Sequence, residues 1–114
     1  MRTIAAQENI PLADLSAASI ALCENFGIEG AKSLFLWVEP GEYEGAYAGG
    51  ATDSTHLQYY GAYKFAQCVA AEIAGMPQNG DPLISRLQSF INLKESADVP
   101  QAVTGLMQIG RAHV

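Results

Sequence analysis

The sequence predicts an α/β fold that is part of a larger domain. Segments with helical spacing of apolar residues follow one short strand-like segment, and at 114 residues the chain is long enough for a small domain. One strand cannot make a sheet, and amphipathic helices must cover their apolar faces. The predicted elements therefore leave apolar faces that a further part of the domain would have to cover.

The N-terminal region is predicted to contain the end of a helix and the one strand. Residues 1–8 have a polar helical pattern, and residues 9–14 are predicted to be a short buried strand. Pro11 cannot donate a ladder hydrogen bond, so this strand is expected to start late or to lie at an edge.

A helix, a shorter helix and a long loop are predicted next. Gly27 suits the C-cap of the first helix, and residues 29–35 are predicted to form the second. Residues 36–38 are a brief apolar stretch, and the Gly-rich residues 39–52 are predicted to be a functional loop. The first helix is predicted from apolar residues at helical spacing, namely Leu15, Ala18, Leu22 and Phe26.

The helix that follows His56 has the clearest pattern in the chain. Gly75 is expected to end it. Asp81 as N-cap and Pro82 as first residue then predict a last helix over residues 82–92. The pattern of the longer helix rests on six apolar residues on one face, namely Ala62, Phe65, Ala66, Val69, Ala70 and Ile73.

These patterns divide the chain into three parts. Residues 1–76 are predicted to carry the α/β part, residues 77–94 a further helix, and residues 95–114 a tail without periodicity. The last six residues, 109–114, match one translated frame of a common short-read sequencing adapter. We interpret them as a sequencing artefact, with a genuine loose tail as the alternative.

Composition argues against several classes of function. The net charge is −6, whereas nucleic-acid binding needs a basic patch. No apolar run approaches the length of a membrane span, and no signal peptide is visible. Cys23 and Cys68 fall on apolar helical faces, which favours buried free thiols over a disulfide. Neither cysteine has a histidine at metal-ligand spacing, so no zinc site is expected.

The residues with the clearest chemistry are Asp53 and His56, on a short loop ahead of the helix. A carboxylate and an imidazole at this spacing can form the back half of a Ser-His-Asp relay. Imidazole suits proton transfer because it titrates near neutral pH. The alternative is structural, because Asp, Ser and Thr before a helix commonly make turns and caps.

No serine of the chain has the setting of a nucleophile. Neither Gly-x-Ser-x-Gly nor Gly-Asp-Ser occurs, and Ser16 and Ser19 lie in the first turns of a predicted helix. Ser54 lies between the acid and the base, where it cannot easily reach the far nitrogen of the imidazole. A relay therefore needs a nucleophile and oxyanion donors that this sequence does not show.

Aromatic residues cluster around the motif in sequence. Trp37, Tyr43 and Tyr47 are the candidate substrate-binding residues, because sugar rings stack on exposed aromatic side chains. Amphipathic packing explains Trp37 at least as well. For Tyr43 and Tyr47, in the Gly-rich loop, substrate contact and a structural role both stay open.

Three blocks resemble the GDS-type (SGNH) hydrolases, over roughly residues 1–74. Asp53-Ser-Thr-His56, followed by Gly61-Ala62 and an Ala-rich helix, is similar to the last block of that family. There the Asp and His of the triad lie three residues apart, before the final helix. Leu34-Phe-Leu-Trp-Val-Glu-Pro-Gly-Glu42 and residues 10–19 resemble the rhamnogalacturonan acetylesterase-like members.

The resemblance implies the C-terminal part of a flavodoxin-like three-layer SGNH hydrolase fold. The parent enzyme would deacetylate rhamnogalacturonan or a similar polysaccharide, with His56 as base and Asp53 orienting it, without metal or organic cofactor. The nucleophilic Ser and the oxyanion-hole Gly and Asn would precede Met1. This chain alone is therefore expected to be inactive, and its expected partner is the missing N-terminal part of the same domain.

Two other functions remain open, and so does the location. One is a non-catalytic carbohydrate-binding or structural remnant, and the other is a GDS-type lipase or acyl hydrolase with another substrate. The resemblance favours an extracellular location, because the family acts on plant cell walls.

Gln58 departs from the family pattern, which usually has Ser or another capping residue there. Since Gln is a poor N-cap, we expect a helix start that is weaker by about 1 kcal/mol.

Overall fold

The computed structural model describes residues 1–91 and shows a mixed α/β chain with a two-stranded antiparallel sheet. This confirms the predicted α/β class and is compatible with a fragment of an α/β hydrolase. The tail at residues 95–114 and residue 92 of the predicted last helix lie outside the described residues. The elements in chain order are α1 (Arg2–Gln7), α2 (Leu15–Ala31), β1 (Phe35–Val38), a 3₁₀ turn (Gly45–Tyr47), β2 (Ala51–Leu57), α3 (Tyr59–Ala74) and α4 (Pro82–Ser89).

The strand predicted at residues 9–14 is wrong, because this segment is an irregular connection between α1 and α2. Asn9 has a left-handed φ of 54°, which turns the chain directly after α1. The connection ends at Asp14, whose carboxylate accepts a hydrogen bond from the backbone N–H of Ala17 and pairs with the guanidinium of Arg2. These contacts cap α2 and tie α1 to its start.

Helix α2 bends where the sequence predicted that it ends. Gly27 has φ 74° and ψ 175°, which is open to glycine and interrupts the helical backbone. The prediction of a second helix over residues 29–35 is wrong beyond Ala31, because Phe35 starts β1 instead. Strand pairing with β2 overrides the local helical pattern at this point.

The sheet places a bulge in the segment that was predicted to be a loop. Leu36 of β1 pairs with Asp53, and the preceding residue Phe35 pairs with Leu57. One step along β1 therefore corresponds to four steps along β2, which leaves residues 54–56 as three extra residues between the two pairs. Asp53 and His56 thus lie in a strand with a bulge, which local sequence patterns did not predict.

The packing of α3 on β1 depends on one glycine. Gly61 is buried, and a Cβ added to it would lie 1.8 Å from the carbonyl oxygen of Leu34. Leu34 itself is fully buried. Farther along α3, the ring of Phe65 meets that of Phe35 edge-on, with 6.1 Å between the centroids. The backbone at Leu34, directly before β1, can approach α3 this closely only because residue 61 has no side chain.

The C-terminal helix follows its predicted start. Asp81 accepts a hydrogen bond from the backbone N–H of Leu83, and Pro82 is the first helical residue. Helix α4 buries Ile84 and ends at Ser89, before the predicted end at residue 92. Among residues 1–91, no helix is long and apolar enough to cross a membrane.

The two cysteines are free thiols, and both are half-buried instead of buried. They lie on α2 and α3, which pack against each other. Burial is the largest cause that raises the pKa of the Cys68 thiol, followed by the nearby charge of Glu72.

Candidate active site

The bulge of β2 is shaped by one carboxylate oxygen. Asp53 Oδ1 accepts hydrogen bonds from the backbone N–H of Thr55, at 2.7 Å, and of His56, at 2.9 Å. Asp is suited to such a local turn because its short side chain reaches backbone donors two and three residues ahead. The turn explains how a strand accommodates three extra residues.

The second carboxylate oxygen of Asp53 contacts the imidazole of His56. Oδ2 lies 2.7 Å from Nδ1, and the side chain of His56 is 75% exposed. An ionised carboxylate accepts only, so Nδ1 carries the proton in this contact, and Nε2 of the neutral ring is left with a lone pair. The structure therefore brings together the two side chains that the sequence predicted as acid and base, in the arrangement that a relay requires.

Hydrogen bonding keeps the carboxylate of Asp53 ionised. The backbone N–H groups of His56 and Thr55, followed by the His56 side chain, lower the pKa of Asp53 from 3.8 to about 2. Because the pKa lies below its ordinary value, the bonds contribute stability above the ordinary pKa. That contribution is lost as the pH falls through about 2.

This leads to a first prediction, on the titration of Asp53. In carboxyl ¹³C NMR of the chain, the Asp53 signal should have its midpoint near pH 2, and the amide signals of Thr55 and His56 should shift with the same midpoint. Thr55→Pro, which removes one of the two backbone donors, should raise the midpoint. A midpoint at the ordinary value of 3.8 in the unaltered chain would show that the turn does not form.

Ser54 contacts the neighbouring strand in this arrangement. Its hydroxyl accepts a hydrogen bond of 3.1 Å from the indole Nε1 of Trp37 in β1. Among residues 1–91, no serine hydroxyl forms a hydrogen bond with His56. The contact of Ser54 with Trp37 therefore joins the bulge to β1 and leaves the position of a nucleophile unfilled by residues of this part of the chain.

Trp37 lies between two open grooves, and its ring is partly covered. The ammonium of Lys32 lies 4.7 Å from the ring centroid, a cation–π contact. A groove of about 660 Å³ on one side includes Glu39 and Thr52. A smaller groove of about 210 Å³ includes Ser54. The larger groove offers room for a small ligand beside β1.

The structure does not bring the three predicted aromatic residues into one groove. Tyr43 is half-buried and Tyr47 is 45% exposed in the 3₁₀ turn, and neither lines the grooves beside Trp37. The lining of these grooves also does not include Asp53 or His56. Substrate contact by Trp37, Tyr43 and Tyr47 therefore stays a prediction.

Sequence reasoning missed the role of Gln58. Its side chain is 3% exposed and makes no cap contact at the start of α3. Instead, Nε2 points to the backbone carbonyl oxygens of Phe35 at 2.6 Å, Trp37 at 3.2 Å and Lys32 at 3.4 Å. The available signal was a Gln directly after an apolar strand residue, at a helix start that Gln caps poorly. Because a buried amide must have hydrogen-bond partners, such a Gln indicates partners other than the helix N-terminus.

Residues 1–91 contain no group of three or more His, Cys, Asp or Glu side chains placed to hold a metal ion.

Comparison with known proteins gives one similarity that bears on this site. The chain is 38% identical over 88 residues to a protein named rhamnogalacturonan acetylesterase RhgT, from Bacillus subtilis (strain 168). The alignment covers 75% of this chain and 37% of the relative, so the chain spans little more than a third of the relative's length. No family model matches the chain, and no solved structure matches it. The similarity points to a hydrolase relative.

Proposed function

We propose that this chain is the C-terminal part of a serine esterase, in which His56 is the general base and Asp53 orients it. The hydrogen bond of 2.7 Å between Asp53 Oδ2 and His56 Nδ1 is the observation that carries the proposal. The ionised carboxylate selects the tautomer with a free Nε2 lone pair and stabilises the imidazolium that forms during turnover. The exposure of the ring leaves it accessible to a nucleophile from another part of the domain.

The reaction is acyl transfer in two steps. His56 Nε2 takes the proton of a serine hydroxyl, which attacks the ester carbonyl, and the imidazolium then gives that proton to the leaving alkoxide. In the second step His56 deprotonates water, which attacks the acyl carbon of the acyl-enzyme. The bond between the acyl carbon and the serine oxygen breaks, the imidazolium returns the proton to that oxygen, and the carboxylic acid is released. The serine and the oxyanion donors belong to the N-terminal part of the domain in this proposal.

The proposed substrate is an acetylated polysaccharide of the rhamnogalacturonan type. The name of the similar protein supports this choice. Tyr47 is 45% exposed, and Trp37 lines a groove of about 660 Å³, so both could contact a sugar ring, with Tyr43 as the third candidate. The matching proposal for location is the extracellular space, where such a polysaccharide occurs.

The need for a further part of the domain is supported by apolar side chains that face solvent. Ile28 on α2 is 85% exposed, Ile20 on the same helix is 56% exposed, and Phe90 after α4 is 77% exposed. Apolar surface of this kind is commonly covered by another part of a protein. We propose the N-terminal part of the same domain as the segment that covers it.

A non-catalytic remnant is the second candidate, and one observation favours it. Within residues 1–91 the one serine of the bulge, Ser54, has its hydroxyl engaged by Trp37. A remnant would retain the sugar-contacting surface without turnover.

The second prediction separates these candidates. The 114-residue chain should hydrolyse p-nitrophenyl acetate no faster than free imidazole, because within residues 1–91 no serine hydroxyl is bonded to His56 and the proposed oxyanion donors belong to the N-terminal part of the domain. A protein that also carries the parent gene's upstream sequence should release acetate from acetylated rhamnogalacturonan. The same polysaccharide after chemical deacetylation is the blank for the acetate assay, and the rate of acetate release should be higher with the acetylated sample than with this blank. No acetate release by that longer protein would support the remnant.

A further inference from the structure

We propose that Gln58 is a positioning residue, whose buried amide closes the bulge of β2 and thereby holds the imidazole of His56 against the carboxylate of Asp53. The importance of Gln58 for catalysis rests on the proposed function. Its effect on the bulge and on the Asp53–His56 contact concerns the chain alone.

The amide of Gln58 joins the start of α3 to β1 and to the segment directly before β1. Its Nε2 points to carbonyl oxygens of Lys32, Phe35 and Trp37, and its backbone N–H donates to the carbonyl of Leu34 at 2.9 Å. An amide nitrogen has two hydrogens, so the two shorter contacts, at 2.6 Å and 3.2 Å, are the principal bonds. With 3% of its surface exposed, Gln58 has little access to water that could replace these partners.

The register of the sheet shows why the hydrogen bonds of the Gln58 amide affect the bulge. The bulge begins where Asp53 pairs with Leu36 and ends where Leu57 pairs with Phe35. Gln58 follows Leu57 directly and binds the carbonyl oxygen of Phe35 itself. Both ends of the three-residue excursion are therefore held on adjacent residues of β1, and Gln58 secures the end next to His56.

A second contact holds Ser54, the first residue of the bulge, on the same strand. Trp37 accepts a hydrogen bond from Gln58 at its carbonyl oxygen, and its indole N–H donates to the hydroxyl of Ser54. Gln58 and Ser54 thus both depend on the placement of Trp37. Loss of the amide would leave the C-terminal end of the bulge held by backbone contacts alone, so that the imidazole leaves the carboxylate for part of the time.

The chain offers a matched control at the other end of α3. Gln88 of α4 points its Nε2 to three backbone carbonyl oxygens, those of Met76 at 2.8 Å, Ile73 at 2.9 Å and Ala74 at 3.4 Å. Its chemistry is that of Gln58, although it is only half-buried. It lies at the end of α3 that is remote from His56, so its loss should affect stability without affecting the bulge.

The experiment compares Gln58→Met with Gln88→Met in the full chain, with His113→Gln in both so that His56 is the only imidazole. Met keeps the length of the side chain and removes the donors. The ¹⁵N shifts of the ring nitrogens report the tautomer, and amide hydrogen exchange reports the turn at Thr55 and His56.

In Gln58→Met we expect the Nδ1–H tautomer to lose its dominance. We also expect the protection of the Thr55 and His56 amides to fall by about tenfold or more relative to amides of α2. Gln88→Met should leave the tautomer and this ratio unchanged. A general loss of stability would lower protection in α2 and in the bulge alike, so the ratio separates positioning from a merely structural role.

Two results would overturn the proposal: an unchanged tautomer and ratio in Gln58→Met, or equal changes in the Gln88→Met control. If Gln58→Met does not fold, Gln58→Asn, which keeps the amide on a shorter arm, replaces it with the same criteria. Neither readout requires turnover. The positioning role can therefore fail while the esterase activity of the longer protein stands, and the reverse outcome is equally recognisable.

Discussion

Replacing His56 by Ala in the longer protein that carries the upstream sequence is expected to abolish nearly all ester hydrolysis. The loss of a triad base removes proton transfer from both steps and typically costs roughly 10⁴-fold or more in kcat. KM should change little, because the imidazole acts on the serine and not on the substrate's sugar. Folding should also change little, because the side chain is 75% exposed. Steady-state kinetics of acetate release, with circular dichroism as a check on the fold, would measure both effects.

Two further substitutions in the same bulge serve as internal comparisons. Asp53→Asn should cost as much activity as His56→Ala or less, because it alters the tautomer and the stabilisation of the imidazolium without removing the base. Ser54→Ala should be mild, since it removes one hydrogen bond from Trp37. The expected order of damage is therefore His56, then Asp53, then Ser54 by a wide margin. If Ser54→Ala abolished activity as completely as His56→Ala with the fold intact, the roles proposed for this bulge would be wrong.

The largest expected effect on folding comes from Gly61→Ala. The new methyl group would lie 1.8 Å from the carbonyl oxygen of Leu34, which is backbone and cannot rotate away. Helix α3 would have to move away from β1. This movement would also pull the buried amide of Gln58 away from the backbone carbonyl oxygen that it binds in β1. Overpacking costs typically about 1–3 kcal/mol, and we expect a value at or above the upper end because the contact is with backbone. Urea unfolding followed by circular dichroism would measure it.

The same substitution at the other end of α3 is the control. Gly75 has a helical φ of −85°, and its added Cβ would meet nothing closer than the Ala71 carbonyl oxygen at 3.5 Å, an ordinary contact. Gly75→Ala should therefore be neutral or slightly stabilising. Equal unfolding free energies for Gly61→Ala and Gly75→Ala would mean that α3 does not pack against Leu34 as described.

The pair at the centre of the site was predictable because its geometry is local. Asp53 and His56 are three residues apart, and the carboxylate of Asp53 makes its hydrogen bonds within this turn. A side chain that bonds to backbone two and three residues ahead needs no distant partner, so the sequence alone indicates it. The catalytic meaning of the pair is a different matter, because a relay depends on a nucleophile from elsewhere.

The setting of the pair was not predictable from local patterns. The segment that ends at Phe35 was predicted to be helical, yet Phe35 begins a strand because β2 supplies pairing partners that lie 13 to 22 residues later in the chain. The same pairing turned the predicted loop around Asp53 into a strand with a bulge. Conversely, residues 9–14 have strand-like composition but are irregular in the described structure.

What the sequence by itself determined are the features set by neighbours within one or two turns. These are the long helix after His56, the cap at Asp81 and the Asp53–His56 pair. What only the tertiary structure decided are contacts between residues far apart in the chain, such as Gln58 with Phe35 and Gly61 with Leu34. The physical reason is that periodicity and capping are local, whereas a buried amide and a close backbone approach exist only after helix and strand have packed together.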